Sequence, residues 1–260
     1  MVALQLIFGL TSTSISVYLQ YSRQILILIL QKEPDAAIKI LSTNNIEKYK
    51  KAISNKYLSL DSVWCTMDGL KIYLEQSGKD IIQNMFYNGW THNHYVSAVI
   101  VFCPDGTIPI ATYNVPGCFH DSTIADWGNI YKKLECIYTN TGGKCTVDSA
   151  FSKKNYAFLI KSSQTDPILD DFHDYEINDQ ATSMRQSAEW GTRALQASFP
   201  RLKDRLVFEE YGERKLIFKL FFLLYNLRAR RVGINQILNT YMPELRKNPK
   251  LTFVAPLLEK

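Results

Sequence analysis

The sequence predicts an α/β fold: an antiparallel three-strand meander extended by parallel strands, flanked by helices and preceded by a short N-terminal helical segment. Three observations carry this prediction. From Ser62 onward, inward and outward residues alternate as they do in a strand. Tyr95 to Cys103 is almost continuously apolar and rich in β-branched residues, the signature of a central strand covered on both faces, and the turn signal Pro104-Asp105-Gly106 follows at once. Beyond it, helical segments flank two further short strands, giving the order strand, strand, strand, helix, strand, strand, helix. The chain divides into an N-terminal helical segment (1–57), a core (58–235) and a C-terminal tail (236–260).

The first 31 residues read as two helices around Phe8-Gly9-Leu10, the second opening at Thr11, Ser12, Thr13 and Ser14, which offer N-caps. In that second helix Ile15, Tyr18, Leu19 and Leu26 share one face at helical period. Helix, Gly turn, helix is the outline of a DNA-binding helix-turn-helix and equally of a plain helical hairpin. As a helix-turn-helix it is truncated, without an earlier packing helix, and Thr11, Ser12, Thr13 and Ser16 are the candidate DNA-facing residues.

In the first core strand Val63, Cys65 and Met67 alternate with Trp64, Thr66 and Asp68, which puts Asp68 at the strand's end on the opposite face from the first three. Thr107 to Tyr113 is the hairpin partner of the central strand. Pro109 within it cannot donate to a ladder and marks it as an edge. A helix is predicted from Asp121 to Glu135, strands over Lys144 to Val147 (ending in Asp148) and Tyr156 to Lys161, and a long helix from about Asp179 to Ala197, stopped by Phe199-Pro200. Leu216 to Leu227 is a further helix ending in Arg228, Arg230 and Arg231, basic residues that either contact phosphates or form a solvated helix end.

Composition narrows the function classes. An apolar fraction of 46% with 15 Tyr and 13 Phe excludes disorder. A net charge of +5 suits a polyanionic partner without demanding one. The five cysteines, Cys65, Cys103, Cys118, Cys136 and Cys145, show no C-x-x-C spacing and read as buried thiols of a reducing compartment rather than zinc ligands. His92 and His94 lack a third ligand at zinc-like spacing. Neither Ile25 to Leu30 nor Leu216 to Leu227 reaches the roughly 20 apolar residues of a membrane span. The N-terminus lacks a secretory pattern, so the expected setting is intracellular, without a membrane.

The residues that carry chemistry are carboxylates. If the strands ending in Asp68 and Asp148 are adjacent and parallel, the two acids emerge side by side, and Glu189, in a helix with the small residues Ala188 and Gly191, can complete an oxygen-ligand site. Two hard cations about 3.5 to 4 Å apart serve phosphodiester chemistry, one activating the nucleophile and the other stabilising the leaving oxygen. Taken by themselves, these residues also read as ordinary strand-end and helix-surface acids.

Four separated motifs carry a family resemblance. Trp64-Cys65-Thr66-Met67-Asp68-Gly69 resembles the first aspartate motif of Harbinger-type (PIF/Harbinger) DDE transposases and their nuclease-like relatives. Pro116-Gly117-Cys118-Phe119-His120-Asp121-Ser122 resembles their Pro-Gly-Ser-x-His-Asp-Ser motif, and Val147-Asp148-Ser149-Ala150-Phe151 their Gly-Asp-Ser-Gly-Tyr motif. Ser187-Ala188-Glu189-Trp190-Gly191, followed by Phe199-Pro200-Arg201-Leu202, is similar to their Glu-Arg-x-Phe-Gly and Lys-x-Arg-Phe segment. The chain departs from the pattern at Gly69-Leu70-Lys71, Val147 and Trp190, none of which removes a carboxylate.

The resemblance implies an RNase H-like fold and a metal-dependent endonuclease or transposase that cleaves and joins DNA phosphodiesters in the nucleus. Asp68, Asp148 and Glu189 would hold Mg2+ or Mn2+. It further implies transposon ends and target DNA as substrates, with a Myb-like DNA-binding protein and a second copy of the chain as candidate partners. Asp121 either caps the next helix or joins the metal site, and His120 reads as a hydrogen-bonding turn residue. The loop holding Asn88, Trp90, His92 and His94 is either substrate-facing or needed for folding. Two rival functions stay open: a domesticated or decayed descendant that binds DNA or protein without catalysis, and a hydrolase of RNA.

Overall fold

A computed structural model describes residues 2–76, 78, 80–151, 156–162, 172–206, 211–233 and 235–245. Among them six strands build one sheet: β1 (Val63–Tyr73), β2 (Tyr87–Asn88), β3 (Asn93–Phe102), β4 (Ile110–Pro116), β5 (Lys144–Asp148) and β6 (Leu159–Ser162). β3 pairs antiparallel with β1 and β4, while β5 runs parallel to β1 and β6 parallel to β5. With the two-residue β2 set aside, the order across the sheet is β4-β3-β1-β5-β6. This is the RNase H-like arrangement, first strand in the middle, meander on one side and parallel strands on the other. Every residue of β3 from His94 to Phe102 is buried, as the continuous apolar run requires.

The helices are α1 (Val2–Phe8), α2 (Ser12–Lys32), α3 (Thr43–Ser54), α4 (Asp80–Phe86), α5 (Asp121–Trp127), α6 (Ile130–Thr141), α7 (Phe172–Ser198), α8 (Tyr211–Val232) and α9 (Gln236–Tyr241). α3 packs on β1 and α6, α5 on β3 and β4, and α7 on β1, β5 and β6. The predicted helix over Asp121 to Glu135 is in fact two. Gly128 lies so close to Thr112 that a Cβ there would overlap its side chain, and Asn129 takes a left-handed turn at φ 55°, so α5 stops and α6 starts in a new direction.

β4 begins later than predicted, after Pro109 rather than around it, because the preceding backbone is already satisfied elsewhere. Asp105 Oδ1 accepts from the Thr107 N–H and hydroxyl, and the buried Asn226 of α8 accepts from Ile108 N–H and donates to Ile108 O. Among the described residues β4 pairs with β3 alone and is an edge strand. α7 starts at Phe172, ahead of the predicted Asp179, and ends before Pro200, which has no N–H to continue it. The small residues Ala188 and Gly191 let this helix approach the sheet closely: Ala188 is buried, and a Cβ on Gly191 would come within 2.6 Å of the Phe102 ring.

The N-terminal helices form as predicted, with Gly9 at φ 63° between them and the Thr11 hydroxyl accepting from Ser14 N–H as the N-cap of α2. The buried stripe differs from the predicted one. It runs through Ile15, Ile27 and Leu30, while Tyr18 is 61% and Leu26 37% exposed, because the partner of α2 is α8, where Ile27, Leu30 and Ala36 meet Leu223. Arg230 donates to the carbonyls of Pro34, Asp35 and Ala37, and Arg231 pairs with Glu33 and Asp35. These two arginines thus tie the end of α8 to the turn after α2, whereas Arg228 is exposed. Among the described residues no single helix is long and apolar enough to span a membrane; α1 and α2 together have the length but are bent by 95°.

Candidate active site

Asp68 sits in the middle of β1 rather than at its end. The strand continues through Tyr73 because Gly69 to Tyr73 keep pairing with β3, whereas its other neighbour, β5, stops at Asp148. Thr66 pairs with Thr146 and Met67 with Val147, so the next step of the parallel register sets Asp68 level with Asp148. The geometric condition posed by the sequence is met: the strands are adjacent and parallel.

Each aspartate is braced by its own following residue. Asp68 Oδ1 accepts from Gly69 N–H at 2.8 Å, and Asp148 Oδ1 accepts from Ser149 N–H at 2.6 Å and from the Ser149 hydroxyl at 3.2 Å. A third acid joins them. Asp121, the first residue of α5, lays its carboxylate against Gly69, where any Cβ would collide with it. Glycine after Asp68 is what admits a second carboxylate beside the first. Asp121 is the first residue of α5, after the N-cap His120, which makes no side-chain capping bond.

The electrostatics carry the mark of crowded acids. Burial pushes the Asp68 carboxyl up to about 6; the charges of Asp121 and Asp148 add to this, while the Gly69 N–H and the Arg185 guanidinium oppose it. Burial likewise raises Asp121, with Asp148 pushing the same way and Lys71 and His120 against. Carboxylates that resist ionising together provide a place where a cation is favourable.

Glu189 reaches this cluster through an arginine that sequence reasoning missed. Arg185, one turn earlier on α7, places Nη1 3.3 Å from Asp148 Oδ2 and Nη2 3.8 Å from Glu189 Oε1. Arg193, one turn later and mostly exposed, lies 3.5 Å from Glu189 Oε2. The i,i+4 spacing of Arg185 and Glu189 was the available signal. Among the described residues no three His, Cys, Asp or Glu side chains converge on a common ion position; Asp148 and Glu189 are gathered instead around the guanidinium. The all-oxygen donor set nonetheless suits a hard divalent cation, and the guanidinium stands where positive charge is wanted.

The loop before β3 is a folding device at Asn88, whose Oδ1 accepts from the N–H groups of Trp90 and Thr91 while Nδ2 donates to Gly117 O. His94 is buried, His92 bonds to the Tyr87 hydroxyl, and Trp90 is 92% exposed. Of the cysteines, Cys65, Cys103 and Cys145 are buried as expected, but Cys118 and Cys136 are exposed.

A family model for the DDE superfamily endonucleases matches residues 67–226, more than half of the chain. The chain belongs to the DDE superfamily endonucleases. The endonuclease match opens one residue before Asp68 and takes in Asp121, Asp148, Arg185 and Glu189. Comparison with curated proteins and with solved structures gave no match.

Proposed function

We propose that the chain is a metal-dependent DNA endonuclease of the Harbinger transposase type, in which Asp68, Asp148 and Glu189 hold Mg2+ or Mn2+ with Asp121 as an added ligand. The observation that carries this reading is the parallel register of β1 and β5, which sets Asp68 level with Asp148 while Gly69 admits Asp121. A divalent cation held by Asp68, Asp148 and Glu189 would supply activation of the attacking water or hydroxyl and stabilisation of the leaving oxygen. The chain's own part is positional: β1 and β5, paired within one sheet, hold two of the acids in register, and α7, pressed on Phe102 at Gly191, carries the third, Glu189, which meets Asp148 across the Arg185 guanidinium.

DNA-end recognition is assigned to a Myb-like partner, and the nucleus is the compartment. In support, the Thr11 hydroxyl is engaged in capping, Ser16 donates to Ser12 O, and Arg230 and Arg231 are held by the turn after α2. Of the predicted DNA-facing residues, Ser12, Thr13 and Arg228 stay exposed. The test is incubation of the full chain with labelled duplex DNA, single-stranded DNA and RNA, with Mg2+ or Mn2+ and with chelator. DNA cleavage lost on chelation is the expected result. Binding without cleavage under every condition would favour a non-catalytic descendant, and cleavage confined to RNA would replace DNA as the substrate.

A further inference from the structure

Arg185 holds two of the acids by loose contacts. Its side chain is 23% exposed, yet Nε is buried with no acceptor among the described residues. Its two ion pairs are long, 3.3 Å to Asp148 and 3.8 Å to Glu189. An arginine serving as a permanent structural tie satisfies its fork of donors; this one does so poorly. The oxygens it holds belong to two of the three acids assigned to the cation, and its charge also bears on the third, Asp68.

We propose that Arg185 is a built-in stand-in cation that gates metal binding: its guanidinium neutralises the acids in the metal-free protein and must withdraw from Asp148 and Glu189 before a divalent cation can take them. This rests on the metal-dependent reading above. Two positive groups cannot share the same carboxylate oxygens without repulsion, so guanidinium and metal compete. The observed metal affinity is then the intrinsic affinity reduced by the fraction of molecules in which Arg185 has moved aside. The gate holds the acids together when no metal is bound, and it sets the cation concentration at which the site fills.

The experiment is Mn2+ titration of the full chain, following loss of the free-ion paramagnetic resonance signal, for wild type, Arg185→Met, Arg185→Gln and Arg193→Met. Both Arg185 variants should bind Mn2+ about tenfold more tightly than wild type, because the competitor is gone. Arg193→Met removes only the outer pairing to Glu189 and should change affinity by less than about twofold. A merely structural arginine predicts the opposite sign, since losing it would loosen the ligands. Equal or weaker binding by the Arg185 variants, with wild type binding normally, overturns the gate and leaves the nuclease reading intact. If none of the four proteins binds Mn2+, the metal-dependent reading itself falls. Arg185→Gln keeps a polar side chain of similar reach, so the comparison stands even if Arg185→Met folds poorly.

Discussion

Asp148→Asn is expected to cut metal-dependent DNA cleavage by at least about a hundredfold to a thousandfold, the range for removing one preorganised electrostatic element, and Asp68→Asn should do the same. The amide keeps the shape and the Oδ1 acceptor for Ser149 or Gly69 but withdraws the charge a hard cation requires. The fold should survive, and for Asp68 it should gain. A carboxyl whose folded pKa is raised contributes stability that is present below its unfolded value near 4 and is lost as pH rises through about 6. Asp68→Asn is free of that loss. The metal-free variant should therefore be more stable than wild type at pH 8, by on the order of 2 kcal/mol, and indistinguishable from it at pH 3.5. Thermal unfolding at the two pH values, beside a cleavage time course, checks both halves. Undiminished cleavage by Asp148→Asn would remove it from the site.

The second large effect is expected at Gly191, where α7 presses on the sheet. A Cβ there meets three carbons of the Phe102 ring between 2.6 and 2.8 Å, and Phe102 is fully buried and set edge-on against Tyr225, so it has no room to yield. Gly191→Val should destabilise the fold by about 3 kcal/mol, at the upper end for overpacking, visible as a lower urea midpoint. Gly191→Ala should lie between Val and wild type, the helix-propensity gain of Ala offsetting part of the clash. Because Glu189 is two residues away on the same helix, cleavage should fall with stability in the Val variant. A urea midpoint equal to that of wild type would mean that the helix is not seated on Phe102.

Much of this fold was legible because its signals are local. The apolar run of β3, the turn at Pro104-Asp105-Gly106 and the proline that ends α7 each depend on neighbours in sequence, and they fell where expected. What failed depended on distant contacts. The break at Gly128 is dictated by Thr112, the late start of β4 by Asn226, and the buried face of α2 by α8, none of which periodicity can see. Asp68 was read as a strand end, but long-range pairing with β3 carries the strand onward. At the site, Asp68 and Asp148 were candidates through motif order, since the strand-end placement read for Asp68 did not hold. Their register could not be read that way, nor the carboxylate of Asp121 against Gly69, nor the arginine between Asp148 and Glu189.

The most direct test of the proposed site is anomalous diffraction from crystals of the full chain grown with Mn2+. The expected result is an anomalous peak within ligand distance, about 2.0 to 2.2 Å for a hard divalent cation on carboxylate oxygen, of both Asp68 and Asp148, with Arg185 displaced from Asp148 and Glu189 drawn in. A peak elsewhere on the molecule, or a saturated crystal with none between β1 and β5, would contradict it.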